Sequence, residues 1–424
     1  MSGVVVVEGP HVRERLREWL ADLSDVTVAE GRGRATRLFG LGIDLAVDTA
    51  RAPDVDPTFW AASVVRRAAR TVPDAADCAS PGLEEAVRSG VWTHPETSSD
   101  SAHLSGVLVF KPGTRVSAEV LTDIAGRLAE CGYRAESAQV VPSDRIRRLG
   151  LAARHHGAFA ELARRGPLID EDRAALLRLY GTEECVARFG PPEKLPVYTA
   201  QEAVTDLGVP MDLLTAWNRE ATLRHGFDSP HPDGPSHIGE CLFAQVVMDP
   251  DYNGGGAFVV LNAHMPRVLA EFESADALAV TITAASRTPL PWPRVRREFC
   301  GATDPARALP GSVRADALAG LLPLSHVSGR PLQRTANGIH LSNGAFETLK
   351  DAWVWFQANP ETTDAGRHLS ASGLDVRRLV DSPFVELEGR RRAVQEVTNG
   401  LGARQAAEVL RGTRPYDPAL VTGR

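Results

Sequence analysis

The sequence predicts a mixed α/β protein of the α+β kind, interrupted by a helical insertion, and three observations predict it. Residues 4–7 (V-V-V-V) and 107–110 (V-L-V-F) are apolar runs too short for helices and are each followed by a glycine or proline turn, the pattern of buried strands. Elsewhere apolar residues recur at helical spacing, as at Val12, Leu16, Trp19, Leu20 and Leu23. From Arg145 to about Gly239 the composition turns helix-rich and turn-rich.

Taken in order, residues 1–104 read as an α/β region of unassigned role, with a strand at 4–7, helices at 12–23 and 57–71, and a loop at 80–103. Its G-R-G-R-A-T run at Gly31 and Gly33 lacks the third glycine of a dinucleotide fingerprint. Residues 105–145 form the first part of a core. Strand 107–110 runs into Lys111-Pro112-Gly113, Ser117 caps a helix whose apolar face is Val120, Leu121, Ile124 and Leu128, Gly132 ends it, and residues 133–141 supply a second strand. Lys111 thus stands at the carboxyl end of a strand, where α/β folds often place ligand contacts.

Residues 146–240 read as the helical insertion, with helices at 158–165, 171–180 and 200–224. Residues 241–360 return to the core through strands at 242–248 and 258–261, separated by Asn253-Gly254-Gly255-Gly256, a helix at 266–272 and an alternating strand at 277–282. Residues 361–424 form a C-terminal helical extension, with helices near Leu374 and at 390–411.

Composition narrows the function. A net charge of -7 over 424 residues argues against a general nucleic-acid binder, which needs a surplus of cations on one face. The five cysteines form no C-x-x-C pair, so neither a zinc knuckle nor a disulfide framework is expected, and reduced thiols in the cytoplasm are. The sequence predicts no membrane span and no secretory leader. Only three lysines occur, Lys111, Lys194 and Lys350, and none lies in G-x-x-x-x-G-K-S/T; with no H-R-D or D-F-G set either, P-loop and protein-kinase mechanisms are excluded.

The stretch from Gly301 to Phe356 points to a chemistry. His340, on a short polar loop and preceded by separated arginines and a threonine, suits a phosphoryl transfer in which the histidine itself carries the phosphate. Neutral imidazole is a good nucleophile near pH 7, and splitting one transfer into two gives ping-pong kinetics. His231, His237 and Glu240 form a weaker cluster whose spacing matches no standard metal site. The Gly254 to Gly256 run reads as a turn between strands.

Several short motifs stand in a telling order: K-P-G-T from Lys111, Arg297 six residues before Thr303 in G-A-T-D-P, Arg314 closing P-G-S-V-R, N-G-I-H-L-S around His340, and a helix ending Trp355-Phe356. In that order they resemble the nucleoside diphosphate kinases, whose pattern is K-P-D-G, an arginine six before the threonine of G-x-T-N-P, P-G-T-I-R, N-x-I-H-G-S-D and a closing W-F. The resemblance implies a ferredoxin-like core, with His340 taking the γ-phosphoryl group of a nucleoside triphosphate and passing it to a nucleoside diphosphate or related phosphorylated metabolite. It implies that Lys111, Arg297, Thr303 and Arg314 hold phosphate oxygens, with Mg²⁺ bridging phosphates, and that Asn337 contacts the sugar or Lys111. Asp351 falls where the family orients the histidine ring, and Ser342 where it has the serine beside that carboxylate. The expected partners are nucleotides and a small-molecule acceptor, with no nucleic acid or membrane; the enlarged chain leaves a homodimer open.

The departures are local. K-P-D-G has become K-P-G-T and H-G-S-D has become H-L-S-N, and Arg297 sits in R-V-R-R, where Arg296 is the alternative. The family's histidine-tyrosine pair is matched by His155-His156, and the helix from Pro266 offers only His264 or Met265 where a base-stacking phenylalanine belongs. The rival reading is a non-catalytic nucleotide-binding or scaffold module; a third keeps the fold with His340 as general base of another transferase.

Overall fold

The computed structural model describes three N-terminal strands, residue 18, and residues 104–416 apart from 166–167, 327–331 and 333–335. The N-terminal strands Gly3–Glu8, Thr27–Glu30 and Ala35–Gly40 form an antiparallel sheet with the third strand in the middle. Apart from residue 18, which is helical, the helices expected at 12–23 and 57–71, the loop expected at 80–103 and the Gly31 to Gly33 run lie outside the described residues.

The main sheet has four antiparallel strands in the spatial order Ile339–Leu341, Leu104–Phe110, Ala277–Ala284, Tyr133–Val141. Numbered along the chain, that order is fourth, first, third, second. Successive side chains of a strand face opposite ways, and here both faces are covered. Leu108 and Phe110 turn toward the helix Ala118–Glu130, which buries Val120, Leu121, Ile124 and Leu128 against them. Val107 and Val109 turn the other way, onto Trp355 and Phe272 of the helices Ala345–Phe356 and Met265–Glu273. The Ser117 hydroxyl accepts from the Val120 N–H at 3.3 Å, satisfying one of the helix's orphan donors, and Gly132 turns the chain into the next strand at φ +82°.

The segment between the second and third strands is longer, and less purely helical, than the sequence suggests. Strands Leu242–Val247 and Phe258–Leu261, expected in the core, pair instead with Val197–Thr199 and Ser236–Gly239 in a second four-stranded sheet. They form a hairpin turned through Asn253, Gly254 and Gly255, all at positive φ, and their remaining edges meet strands that belong to the insertion. The chain rejoins the main sheet only at Ala277. At the C-terminus, helices Asp364–Ala371, Val376–Asp381 and Ala403–Leu410 pack on Phe346 and Leu349, while residues 390–393, expected to open a helix, form a strand paired with Phe384–Leu387. The Glu388-Gly389 turn, with φ of 52° and 74°, is the two-residue hairpin connection that a right-twisted strand pair prefers, and it decides the local structure. No helix among the described residues is long and apolar enough to cross a membrane.

One buried ion pair ties the first helix to the P-G-S-V-R loop. Arg127 donates to Asp316 at 2.7 Å and to the Gly311 carbonyl at 3.0 Å, and the Gly311 N–H donates back to Asp316 at 3.0 Å. The two side chains are 1% and 2% exposed. Removing one partner of such a pair strands a charge out of water. Arg127→Met is therefore expected to lose about 3–5 kcal/mol of unfolding free energy, read as a lower urea midpoint; a midpoint within error of the parent would contradict the assignment.

Candidate active site

His340 lies on the edge strand Ile339–Leu341, opposite Val109, and not on a loop as the sequence suggested. Gly338 precedes it at φ +78°, where an added Cβ would stand 3.0 Å from Leu324, so the turn into the strand needs glycine. This turn is stitched to the one that carries Lys111: the Lys111 N–H and the Thr114 hydroxyl both donate to the Gly338 carbonyl, at 2.9 and 3.0 Å.

The centre of the site is Asp351, on the helix Ala345–Phe356 and 0% exposed. One carboxylate oxygen lies 2.8 Å from His340 Nε2 and the other 3.1 Å from His155 Nδ1. The imidazole rings of His155 and His340 meet edge to face, 4.4 Å between centroids. Burial pushes the Asp351 carboxyl up, but the charge on His340 and the hydrogen bonds from both histidines outweigh it and hold the group below the usual carboxylate range. Burial, then the charge on His340, pushes His155 down to about 4 against the pull of Asp351. Burial also lowers His156 well below an ordinary histidine.

An ionised Asp351 accepts two N–H groups, so His340 Nε2 carries a proton, and in the neutral form of that ring the lone pair stands on Nδ1. His155, neutral, is protonated on Nδ1. The Trp355 indole nitrogen lies 3.3 Å from the same Nδ1, but with that atom protonated the contact is an edge-to-face ring contact, 5.4 Å between centroids, and not a hydrogen bond. The His340 side chain is 16% exposed.

The arginines are placed differently from the sequence expectation. Arg314 is buried and spends its guanidinium on two carbonyls, Gly301 at 2.9 Å and Ile339 at 2.7 Å, with Nε left without a partner. Arg296 donates to the Leu341 carbonyl. The two arginines thus hold the peptide carbonyls on either side of His340, on the edge strand where a neighbouring strand would otherwise bind them. Arg297, the predicted ligand, is 57% exposed and pairs with Glu298 at 2.8 Å. The reason is a π-helical turn, Arg296–Cys300, closed by the Gly301 N–H on the Arg296 carbonyl at 3.0 Å; the wider turn changes which arginine faces the strand.

Ser342 stands two residues beyond His340 and meets the helix one turn before Asp351. Its hydroxyl accepts from the Val107 N–H at 2.9 Å and bonds Thr348 at 3.0 Å, so it fastens strand to sheet and helix instead of bracing the carboxylate. Asn337 is buried and donates to the Thr303 carbonyl at 2.9 Å, while Thr303 itself is exposed. Lys111 lies with its ammonium 5.8 Å from the centre of the Phe272 ring; burial, then the charge on Arg314, pushes it down to about 7.

Phe272 is the residue that sequence reasoning missed. It sits at the far end of the helix that begins at Met265, stacked on His155 at 5.6 Å and edge-on to His156 at 4.8 Å. The Lys111–Phe272 crevice has a volume of only about 20 Å³.

His155, His340 and Asp351 offer three donor atoms within 4.8 Å of one another, enough for a two-histidine, one-carboxylate metal centre, although hydrogen bonds already satisfy them. His231, His237 and Glu240 are not brought together as a site: Glu240 accepts from Arg392 and the Ala393 N–H, His237 packs on Phe243, and His231 stacks on His225 at 4.1 Å.

Lys111 makes a pH prediction. Its folded value near 7 lies below its ordinary 10.5, so the unfolded chain binds more protons between those limits. The cost of burying the charge is full below pH 7 and fades as pH rises toward 10.5. Relative to Lys111→Met, the parent should therefore gain stability from pH 7 to pH 10 in paired denaturation curves; a constant gap would refute the assignment. No family model, curated protein or solved structure matches the chain, so the chemistry of the site rests on its own geometry.

Proposed function

We propose that the main sheet and its helices are a ferredoxin-like nucleoside diphosphate kinase core, and that the protein moves a γ-phosphoryl group from a nucleoside triphosphate through His340 to a nucleoside diphosphate or related phosphorylated metabolite. The fourth-first-third-second strand order supports the fold. The observation that carries the chemistry is the His340 Nε2 to Asp351 contact of 2.8 Å, which leaves Nδ1 as the free nitrogen on a partly exposed ring.

Nδ1 attacks the γ-phosphorus, an N–P bond forms as the bond from phosphorus to the β,γ-bridging oxygen breaks, and the nucleoside diphosphate leaves with that electron pair. The Nε2 proton stays on the ring, and ionised Asp351 offsets the positive charge that develops there. A phosphate oxygen of the acceptor then attacks phosphorus and restores the lone pair. Lys111 is the cation proposed to meet the phosphates: an anion beside it would raise its depressed proton affinity and fix its charge. Mg²⁺ would offset the negative charge of the nucleotide phosphates. Glu271, a carboxylate lining the crevice beside Lys111, is engaged by Arg267 at 2.7 Å, so the ion would enter with the nucleotide.

The narrow crevice beside Lys111 and the commitment of Arg314 to main-chain carbonyls favour a second reading, a scaffold that retains the fold without turnover. Labelling with γ-³²P-ATP separates them. The kinase reading expects acid-labile, alkali-stable label on the parent, none on His340→Gln, and incorporation slowed about 100-fold or more in Asp351→Asn. Arg296→Met should cost more than Arg297→Met. A folded parent that takes no label would sink the kinase and leave the scaffold.

A further inference from the structure

A cavity of about 360 Å³ opens between the insertion helices, the helix Ala345–Phe356 and the C-terminal extension. Its size falls within the range of small-molecule sites, and junctions between parts of a chain are where such sites tend to form. Phe346, Trp353 and Leu269 line it. Arg154 lies over the Trp353 ring at 4.9 Å, and the Glu161–Arg164 pair at 2.8 Å neutralises one further wall, leaving exposed Asp381 at the rim.

Lys350 is also part of the lining. It is 5% exposed and, among the described residues, its hydrogen bond is to the His155 carbonyl at 2.9 Å. An ammonium has three N–H donors; the charges of Asp351 and Glu347 act on this one, but among the described residues no carboxylate lies within 4.0 Å to accept from it. Gly157 leaves room for it, since a Cβ there would stand 3.0 Å from Lys350 Nζ and 3.0 Å from Gln395 Oε1. A buried cation short of acceptors is costly, and burial lowers its proton affinity accordingly.

We propose that this cavity is a binding site for an organic monoanion with an apolar ring body, its acid group on Lys350 and its body between Trp353, Phe346 and Leu269. The bound carboxylate or sulfonate supplies the acceptors that the ammonium lacks, and Arg154 adds a second positive group at the mouth. The site adjoins His155 through Lys350, but binding there does not require phosphoryl transfer.

The test is isothermal titration of the full chain with 1-naphthoate and with 1-naphthalenemethanol, which has the same rings and no charge. Binding of naphthoate at one per chain, at least tenfold tighter than the alcohol, is expected, with the preference falling below twofold in Lys350→Met. Absence of saturable naphthoate binding, or a preference that survives in a folded Lys350→Met, overturns the proposal. Should that variant not fold, Ser382→Trp keeps Lys350 and places an indole at the mouth; naphthoate binding at least tenfold weaker is expected there, and undiminished binding overturns the proposal.

Discussion

A carboxylate with no exposed surface, shared between two imidazoles, is the constraint on which the site depends. Asp351 can stay ionised in that position only because both histidines point N–H groups at it. In return it fixes the tautomer of each ring. The arrangement draws on three parts of the chain: His340 from the edge strand of the main sheet, Asp351 from the helix behind the sheet, and His155 from the first turns of the insertion. The insertion is therefore part of the site and not only an addition to its rim.

Around this carboxylate, several polar side chains that the sequence singled out for the site are engaged with backbone. Arg314 and Arg296 occupy the carbonyls flanking His340, Asn337 holds the Thr303 carbonyl, and Ser342 takes the Val107 N–H. An edge strand presents unpaired acceptors, and a buried one must satisfy them internally. The same donors that would grip phosphate oxygens thus meet a structural demand in the absence of phosphate. Lys111 differs: its ammonium faces an aromatic ring, and burial, then the charge on Arg314, lowers its proton affinity.

How much of this was legible follows from what each residue's position depends on. Ser117, the apolar face at Val120, Leu121, Ile124 and Leu128, and Gly132 are local signals, and helix and cap follow them. The insertion's sheet was illegible because its outer strands, Val197–Thr199 and Ser236–Gly239, are 3 and 4 residues long, too short for alternation to register. Counting six residues back from Thr303 selected Arg297, but a count along sequence assumes an ordinary helical turn, and the π-turn at Arg296–Cys300 breaks that assumption. Phe272 was missed because a stacking ring was sought where its helix begins, whereas tertiary packing brings the opposite end to His155.

Two of the chain's three lysines, Lys111 and Lys350, share the surroundings of His155. Lys350 holds its carbonyl, Asp351 its Nδ1, and Phe272, which Lys111 faces, stacks on its ring. Both cations are partly or wholly withdrawn from water, and burial lowers the proton affinity of each. Arginine, which remains charged under such burial, is abundant in this chain and fills the neighbouring positions 296 and 314. Lysine stands where a compact ammonium, able to lose its proton when no anion is near, fits a closed space. His155 is thereby held by contacts to Phe272, which lines the Lys111 crevice, and to Lys350, which lines the larger cavity, and through its Nδ1 it takes one oxygen of Asp351.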